Sequence, residues 1–231
     1  CRMCALGETS KDGFCAKCDA GKYDAGDRVC SACPWGWVQT NKGQKSCTEC
    51  RRGENFDTPS TSCSNCGLGR YGSAPGICHD CPVGQYQDTK GLTSCNDCPR
   101  DSYGTKNASV SNAECKVCSS DRSTGNVTGA GSQSACLCRR ASDNFLGFFQ
   151  PTGKDVAGDD AACAPCPPGA DCTAQDGLFL VMLVAKPGFW RPDPTSMTFS
   201  PCAVGVPGIE TERQHLAAIR CAAFDTVRCP R

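Results

Sequence analysis

The chain has 231 residues, of which 24 are cysteine, while Leu, Ile, Val and Phe together number only 33. These apolar residues make up about one seventh of the chain, below the roughly one fifth at which burial usually suffices to hold a fold. So high a cysteine density is typical of a disulfide scaffold in an oxidising compartment. Basic and acidic residues balance at 24 each, so there is no basic field that would attract nucleic acid or an anionic membrane.

Cysteines in C-x-x-C pairs follow one another along the first half of the chain. The eight pairs are Cys1/Cys4, Cys15/Cys18, Cys30/Cys33, Cys47/Cys50, Cys63/Cys66, Cys78/Cys81, Cys95/Cys98 and Cys115/Cys118. The third residue after the second cysteine is glycine six times in succession, at Gly7, Gly21, Gly36, Gly53, Gly69 and Gly84. A turn at that position needs a residue that accepts positive φ or a close backbone approach.

All four tyrosines occupy one slot, two residues after the turn position: Tyr23, Tyr71, Tyr86 and Tyr103. We expect each ring to cover its small unit. Six cysteines recur after 48 residues, so that CPWGWVQTNKGQKSC at 33–47 and CPVGQYQDTKGLTSC at 81–95 are the same member of successive triplets. Each unit therefore closes a loop of fixed length and buries little.

Spacing alone does not decide which cysteines pair, and interlocked links such as Cys15 to Cys30 stay open. The economical choice is a ladder that joins the second cysteine of each pair to the first of the next. Each bridge then closes a loop of about a dozen residues, worth about 3 kcal/mol in the chain-entropy model. This choice predicts an elongated rod of short hairpins with contacts mainly between neighbouring units.

The ladder joins Cys4 to Cys15, Cys18 to Cys30 and Cys33 to Cys47, and continues to Cys98 with Cys115. Cysteines predicted to form disulfides are Cys4, Cys15, Cys18, Cys30, Cys33, Cys47, Cys50, Cys63, Cys66, Cys78, Cys81, Cys95, Cys98, Cys115, Cys118, Cys136, Cys138 and Cys163. Cys1 has no partner in this scheme, so we expect the segment to be cut from a longer array.

The pattern C-x-x-C-P-x-G-x-Y, followed a dozen or so residues later by C-x-x-C, resembles the ephrin type-A/B-receptor-like repeats. It is more distantly similar to the first module of tumour necrosis factor receptor repeats. The resemblance covers residues 1 to about 118, and it departs from the pattern where Asp101 and Asp121 replace the turn glycine and where Val38 and Asn55 replace the tyrosine. It implies an extracellular, disulfide-laddered rod without catalytic activity, of a kind found in surface proteins of protists and animals.

The composition changes near residue 137, since 21 of the 33 large apolar residues lie at or after this position. We therefore predict repeats at 1–118, a polar Gly/Ser-rich transition at 119–138 and a small mixed cysteine-rich module at 139–231. CLCRRASDNFLGFFQ resembles the end of an epidermal-growth-factor-like unit, and KPGFWRPDPTSMTFSPC resembles segments that end cysteine-rich arrays in protist surface proteins.

Two regular elements are predicted in this module: a buried strand at LFLVMLVA, 178–185, and a helix at 209–224 packed on it. The aromatic pairs Phe148-Phe149 and Phe189-Trp190 are expected to belong to its core. Once Cys138 takes Cys163, the pairing of Cys166, Cys172, Cys202, Cys221 and Cys229 stays open, and Cys229 is the candidate for a partner outside the segment.

Zinc is the structural alternative for C-x-x-C pairs, but the thiolates are not grouped in fours here. A redox role would need a βα framework that the sequence lacks. His79, His215 and Asp159-Asp160 belong to no recognisable catalytic or calcium-binding pattern. We therefore predict no enzyme activity, no catalytic residue, no metal and no cofactor.

Candidate surface features are two sequons and two tryptophans. Asn107-Ala-Ser109 and Asn126-Val-Thr128 are predicted N-glycosylation sites in a secreted chain. Trp35 and Trp37 flank Gly36 in a unit too small to bury both, so at least one should face outward as a possible interface.

The longest apolar run has eight residues, too short to span a membrane. The sequence thus predicts a non-catalytic extracellular or cell-surface glycoprotein segment that spaces or assembles a surface structure or filament. Self-association, other extracellular proteins and N-linked glycans are the expected partners. The alternative is the ligand-binding ectodomain of a receptor.

Overall fold

The protein is described by a computed structural model that covers residues 3–57, 60–151 and 162–202. Two compact bodies make up the chain. The first body comprises Cys1–Pro99, Gly104–Lys116 and Gly129–Ser132, and the second comprises Arg100–Tyr103, Val117–Thr128 and Gln133–Arg231.

Short antiparallel hairpins make up the described part of the first body. They pair β1 (Glu8–Lys11) with β2 (Phe14–Lys17), β3 (Lys22–Tyr23) with β4 (Ser31–Ala32), β5 (Trp37–Val38) with β6 (Thr48–Glu49), β7 (Glu54–Phe56) with β8 (Cys63–Asn65), β9 (Arg70–Ala74) with β10 (Ile77–Asp80), and β11 (Gln85–Tyr86) with β12 (Asn96–Asp97). Each hairpin is closed by its own disulfide, and Cys15, Cys63 and Cys78 lie within strands β2, β8 and β10 themselves.

After β13 (Ser102–Tyr103) and β14 (Lys116–Val117), the second body continues the hairpin pattern. Its hairpins pair β15 (Arg122–Ser123) with β16 (Leu137–Cys138), β17 (Phe148–Phe149) with β18 (Ala164–Pro165), β19 (Ala170–Asp171) with β20 (Val184–Ala185), and β21 (Phe189–Trp190) with β22 (Ser200–Pro201). Within the described ranges, the helices are three 3-10 turns at Asn112–Glu114, Gln133–Ala135 and Leu180–Met182.

Disulfides follow the ladder, and each joins a cysteine to the next unpaired one along the chain. The ladder bonds are Cys4–Cys15, Cys18–Cys30, Cys33–Cys47, Cys50–Cys63, Cys66–Cys78, Cys81–Cys95, Cys98–Cys115, Cys118–Cys136 and Cys138–Cys163. Cys166 pairs with Cys172, a bond that the spacing had left open, and Cys202 is also disulfide-bonded. The predicted fold class, short β-hairpins laddered by disulfides, is confirmed.

Successive units of the first body are joined by main-chain hydrogen bonds that recur at equivalent positions. The amide of the turn glycine donates to the carbonyl of the residue after the tyrosine slot in the next unit, over 2.7 to 3.1 Å. These bonds run from Gly21 to Gln39, Gly53 to Gly72, Gly69 to Gln87, and Gly84 to Gly104. The residue after the tyrosine slot in turn donates its own amide to the following loop: Asp24 to Gln44, Gln39 to Ser60, Gly72 to Leu92, Gln87 to Ser109, and Gly104 to Ala130.

Contacts in the first body also reach the unit after the next, farther than the neighbour contacts that we predicted. A Cβ on the turn glycine would lie 2.1 to 2.2 Å from a carbonyl oxygen two units along, in the pairs Gly7 with Gly43, Gly53 with Gly91, Gly69 with Ala108, and Gly84 with Gly129. Backbone therefore packs directly on backbone. The same four loop residues donate their amides to the carbonyls of Cys18, Cys66, Cys81 and Cys98, respectively.

Buried polar side chains fasten several loops of the first body from inside. Gln87 is fully buried; its Nε2 donates to the carbonyl of Ser94, and its Oε1 accepts from the amide of Thr89. Gln39 makes the equivalent bonds one triplet earlier. The buried Asp24 carboxylate occupies the same slot and accepts from three main-chain amides, Gly7 among them.

An apolar core lies in the second body, where the composition predicts it. Its buried members are Phe149, Ala170, Cys172, Leu178, Leu180, Leu183 and Phe199. Phe149 is fully buried, while Phe148, Phe189 and Trp190 are half-buried. This core is small, and it takes up the leucines of the 178–185 segment.

The prediction of a single buried strand at 178–185 is wrong. Residues Leu180–Met182 form a 3-10 turn, and only Val184–Ala185 form a strand. The turn lets three leucines enter the small core while Val181, Met182 and Val184 stay exposed. Arg191 holds this turn because its guanidinium donates to the carbonyls of Leu180 and Leu183. The predicted helix at 209–224 lies outside the described residues.

Candidate interaction sites

The most exposed aromatic side chain of the predicted interface is Trp35, just before β5. Trp35 is 75% exposed and Trp37 is 36% exposed. The Trp35 ring also meets the ring of Phe56, in the next unit, edge to face at a centroid distance of 4.7 Å. Part of the Trp35 ring thus packs against the neighbouring unit while most of the ring stays open to solvent.

Both sequon asparagines are exposed. Asn107 lies in a loop of the first body, next to Ala108, whose amide donates to the carbonyl of Cys81. Ser109 of the same sequon is buried, and its hydroxyl donates to the carbonyl of Lys106. Asn126 lies in the second body, in the loop that follows β15.

A cleft of about 420 Å³ opens in the second body beside Asn126. Its lining is mostly polar and comes from three separate stretches of the chain: Ser123, Gly125, Asn126, Arg139, Arg140, Ser142, Phe145, Gln175 and Asp176. Main-chain hydrogen bonds hold these stretches together, because Cys138 pairs with Arg122 in the β15–β16 hairpin and its carbonyl accepts from the amide of Gly177 at 2.7 Å. For example, the Asp176 carboxylate accepts from the amide of Arg140 at 2.8 Å.

The wall of this cleft is fixed by Arg139. Its guanidinium donates to the carbonyl of Arg122 and to the carboxylate of Asp101, the latter at 3.2 Å, and it lies 5.6 Å from the centre of the Phe145 ring. Asp101 replaces the turn glycine that the resemblance expects, and it keeps the positive φ, at 59°. Asp101 therefore places a carboxylate where the units with a turn glycine have a hydrogen atom.

The zinc alternative has no support among the described cysteines, since the ladder joins their sulfur atoms in disulfides. Cys50, Glu54 and Cys63 come close enough to one another to suggest a metal site. The two sulfurs of that group are joined to each other, so neither is a free thiolate. His79 packs against Tyr71, with ring centroids 5.7 Å apart, while His215 and Asp159-Asp160 lie outside the described residues.

Asp57 and Asp24 of the first body have carboxylates whose charged form is stabilised by hydrogen bonds that close loops. The pKa of Asp57 falls from 3.8 to about 2, because the Ser62 amide and the Thr61 hydroxyl donate to its carboxylate. The main-chain amide of Gly7, followed by that of Gly26, lowers the pKa of Asp24. Both carboxylates close loops from within one body, so their role is structural.

No helix in the described ranges is both long and apolar enough to cross a membrane. Residues 72–115 match the family model described as tyrosine-protein kinase ephrin type A/B receptor-like. No curated protein matches the chain. The match begins within β9 and ends at Cys115, so it includes the complete loops Cys81–Cys95 and Cys98–Cys115. The chain is therefore a cysteine-rich repeat array, and its residues 72–115 are similar to the ephrin type A/B receptor-like family.

Proposed function

We propose that this chain is a non-catalytic segment of an extracellular glycoprotein, and that it spaces or assembles a cell-surface structure or filament. The observation that carries the proposal is the recurrence of main-chain hydrogen bonds between successive units. Because these bonds use the backbone, units with different side chains can follow one another in series. An array built in this way sets the distance between its two ends through the number of its units. Its outward side chains stay free for assembly.

The spacer role predicts that the length of the array depends on the number of units. Deleting residues 15–62 removes one 48-residue period and joins Phe14 to Cys63, so that Cys4 can pair with Cys63 across a loop of unchanged length. We expect a fully oxidised protein whose maximum dimension in small-angle X-ray scattering is shorter than that of the parent. An unchanged dimension, with all thiols oxidised, would contradict the spacer role.

The assembly role is assigned to Trp35, because most of its ring is open to solvent. Trp35→Ala should weaken self-association in sedimentation velocity over a concentration series. Phe14→Ala is the matched control, since Phe14 is an equally exposed aromatic of the first body, at 78%. A parent chain that stays monomeric at high concentration, together with native images that show no polymer, refutes the assembly role.

The alternative is a ligand-binding receptor ectodomain, favoured by the receptor-like family match and by the same exposed Trp35. The sequence that follows this segment in the native protein discriminates the two roles. A membrane span after the array favours the receptor, whereas further repeats favour the filament.

We also propose that the protein is secreted and carries N-linked glycans on Asn107 and Asn126. Both side chains are exposed, and the disulfide ladder requires an oxidising compartment in which such glycans are added. Glycopeptide mapping of the native protein tests each position. Unmodified peptides at both asparagines would refute this part of the proposal.

A further inference from the structure

The cleft in the second body and the Asn126 sequon coincide, since Asn126 is one of the residues that line the cleft. We propose that the N-linked glycan on Asn126 folds back and that its first sugar residues occupy this cleft. The inference rests on the proposed glycosylation of Asn126. It goes further by giving that glycan a binding site in the protein.

The cleft suits a sugar in size and in chemistry. Its volume of about 420 Å³ falls in the range of small-ligand sites, roughly 300 to 1,000 Å³. A pyranose ring has an apolar face of C–H groups and a rim of hydroxyls, which complements a half-buried aromatic ring beside polar side chains. Phe145 is half-buried in the lining, and Arg140 and Gln175 are exposed there as hydrogen-bonding side chains.

The walls of the cleft are ordered before any sugar arrives. Ser142 and Phe145 exchange main-chain hydrogen bonds in both directions, at 2.9 and 3.0 Å, which closes a tight turn. The Phe145 ring lies 5.6 Å from both the Arg139 guanidinium and the Phe148 ring, measured to its centroid. A site that is already rigid loses little conformational entropy when a ligand is bound.

The glycan is the expected occupant of the cleft because it is attached to Asn126, in the lining. A glycan that starts on the lining of the cleft is present there at a high effective concentration, so even weak contacts hold it. The same glycan shields the cleft from the side chains of a larger partner. Asn107 supplies the comparison, because it lies in the first body and is not part of this lining.

The test is release of each glycan from the native, oxidised chain by peptide-N-glycosidase, followed site by site with mass spectrometry. We expect release at Asn126 to be about tenfold slower than at Asn107. This ratio corresponds to a glycan that lies outside the cleft, where the enzyme can reach it, about a tenth of the time. Phe145→Ala should remove most of that difference. Leu146→Ala is the matched control, because Leu146 neighbours Phe145 in the chain, is 85% exposed and does not line the cleft.

A second variant keeps the test valid if Phe145→Ala fails to oxidise fully: Arg140→Ala alters only an exposed side chain and should also speed release at Asn126. Equal release rates at the two asparagines, or protection that survives both substitutions, would overturn the inference and leave the proposed glycoprotein intact. An unmodified Asn126 in the native protein would overturn the inference together with that part of the proposed function.

Discussion

The turn glycine of each repeat meets two demands at once. Gly53 has a φ of 85°, and a Cβ on it would lie 2.1 Å from the carbonyl oxygen of Gly91. Gly13, in the turn between β1 and β2, has almost the same φ, at 83°, but a Cβ there would meet nothing within 4 Å. These two glycines therefore separate the cost of backbone conformation from the cost of the close approach.

We predict that Gly13→Ala lowers the free energy of unfolding by about 1–2 kcal/mol, the cost of a left-handed conformation for a residue with a Cβ. Gly53→Ala should cost about 1–3 kcal/mol more, because the added methyl overpacks a backbone contact that cannot yield. Hydrogen exchange of the Cys66 amide, which donates to the carbonyl of Gly53, reports the local loss. Equal effects of the two substitutions would contradict the close approach.

Asp57 should make its loop sensitive to acid. Its pKa is about 2 in the folded chain and 3.8 when unperturbed, so the charged form is favoured by folding. The stabilisation is complete above pH 3.8 and is lost as the pH falls toward 2. We predict that the amides of Thr61 and Ser62 lose hydrogen-exchange protection in that window, and that Asp57→Asn abolishes the pH dependence. A carboxyl titration midpoint at the unperturbed value in NMR would refute this assignment.

At the scale of one hairpin, the disulfide replaces the missing core. Strands β9 and β10 are linked through Cys66–Cys78, which closes a loop of sequence separation 12. A bond across such a loop stabilises by about 3 kcal/mol in the chain-entropy model. The amide of Gly69, bonded to the carbonyl of Gln87, depends on this loop as well.

We therefore predict that Cys66→Ala combined with Cys78→Ala unfolds this hairpin locally. The Gly69 amide should lose most of its exchange protection, while the Phe149 core of the second body keeps its own. Removing both cysteines avoids a free thiol that could exchange with other bonds. Retained protection at Gly69 would show that packing alone holds the hairpin.

The sequence predicts the hairpins and their disulfide loops well, because the cysteine spacing and the turn glycines encode loop length directly. Sequence reasoning missed the roles of the half-buried Gln39 and the buried Gln87, although glutamine recurs at this slot in both copies of the repeat, since the main-chain groups that each side chain bonds are brought together only once the loop is closed. It also misassigned 178–185, where the burial of Leu178, Leu180 and Leu183 follows neither a strict strand nor a strict helix period.

At the scale of the molecule, the two bodies are stabilised in different ways. The first depends on disulfides and main-chain bonds, whereas the second adds an apolar core around Phe149. The composition change near residue 137 predicts that difference. The cleft beside Asn126 could not be predicted, because its walls come from stretches as far apart as Ser123 and Asp176.

Reduction and alkylation of the intact chain, followed by hydrogen exchange, tests most directly whether sulfur cross-links hold the array. We predict that the amides of Gly21, Gly53, Gly69 and Gly84, which bridge successive units, lose their protection together once the disulfides are gone. Protection of these four amides in the fully alkylated protein, or free thiols at the ladder cysteines of the native protein, would contradict that claim.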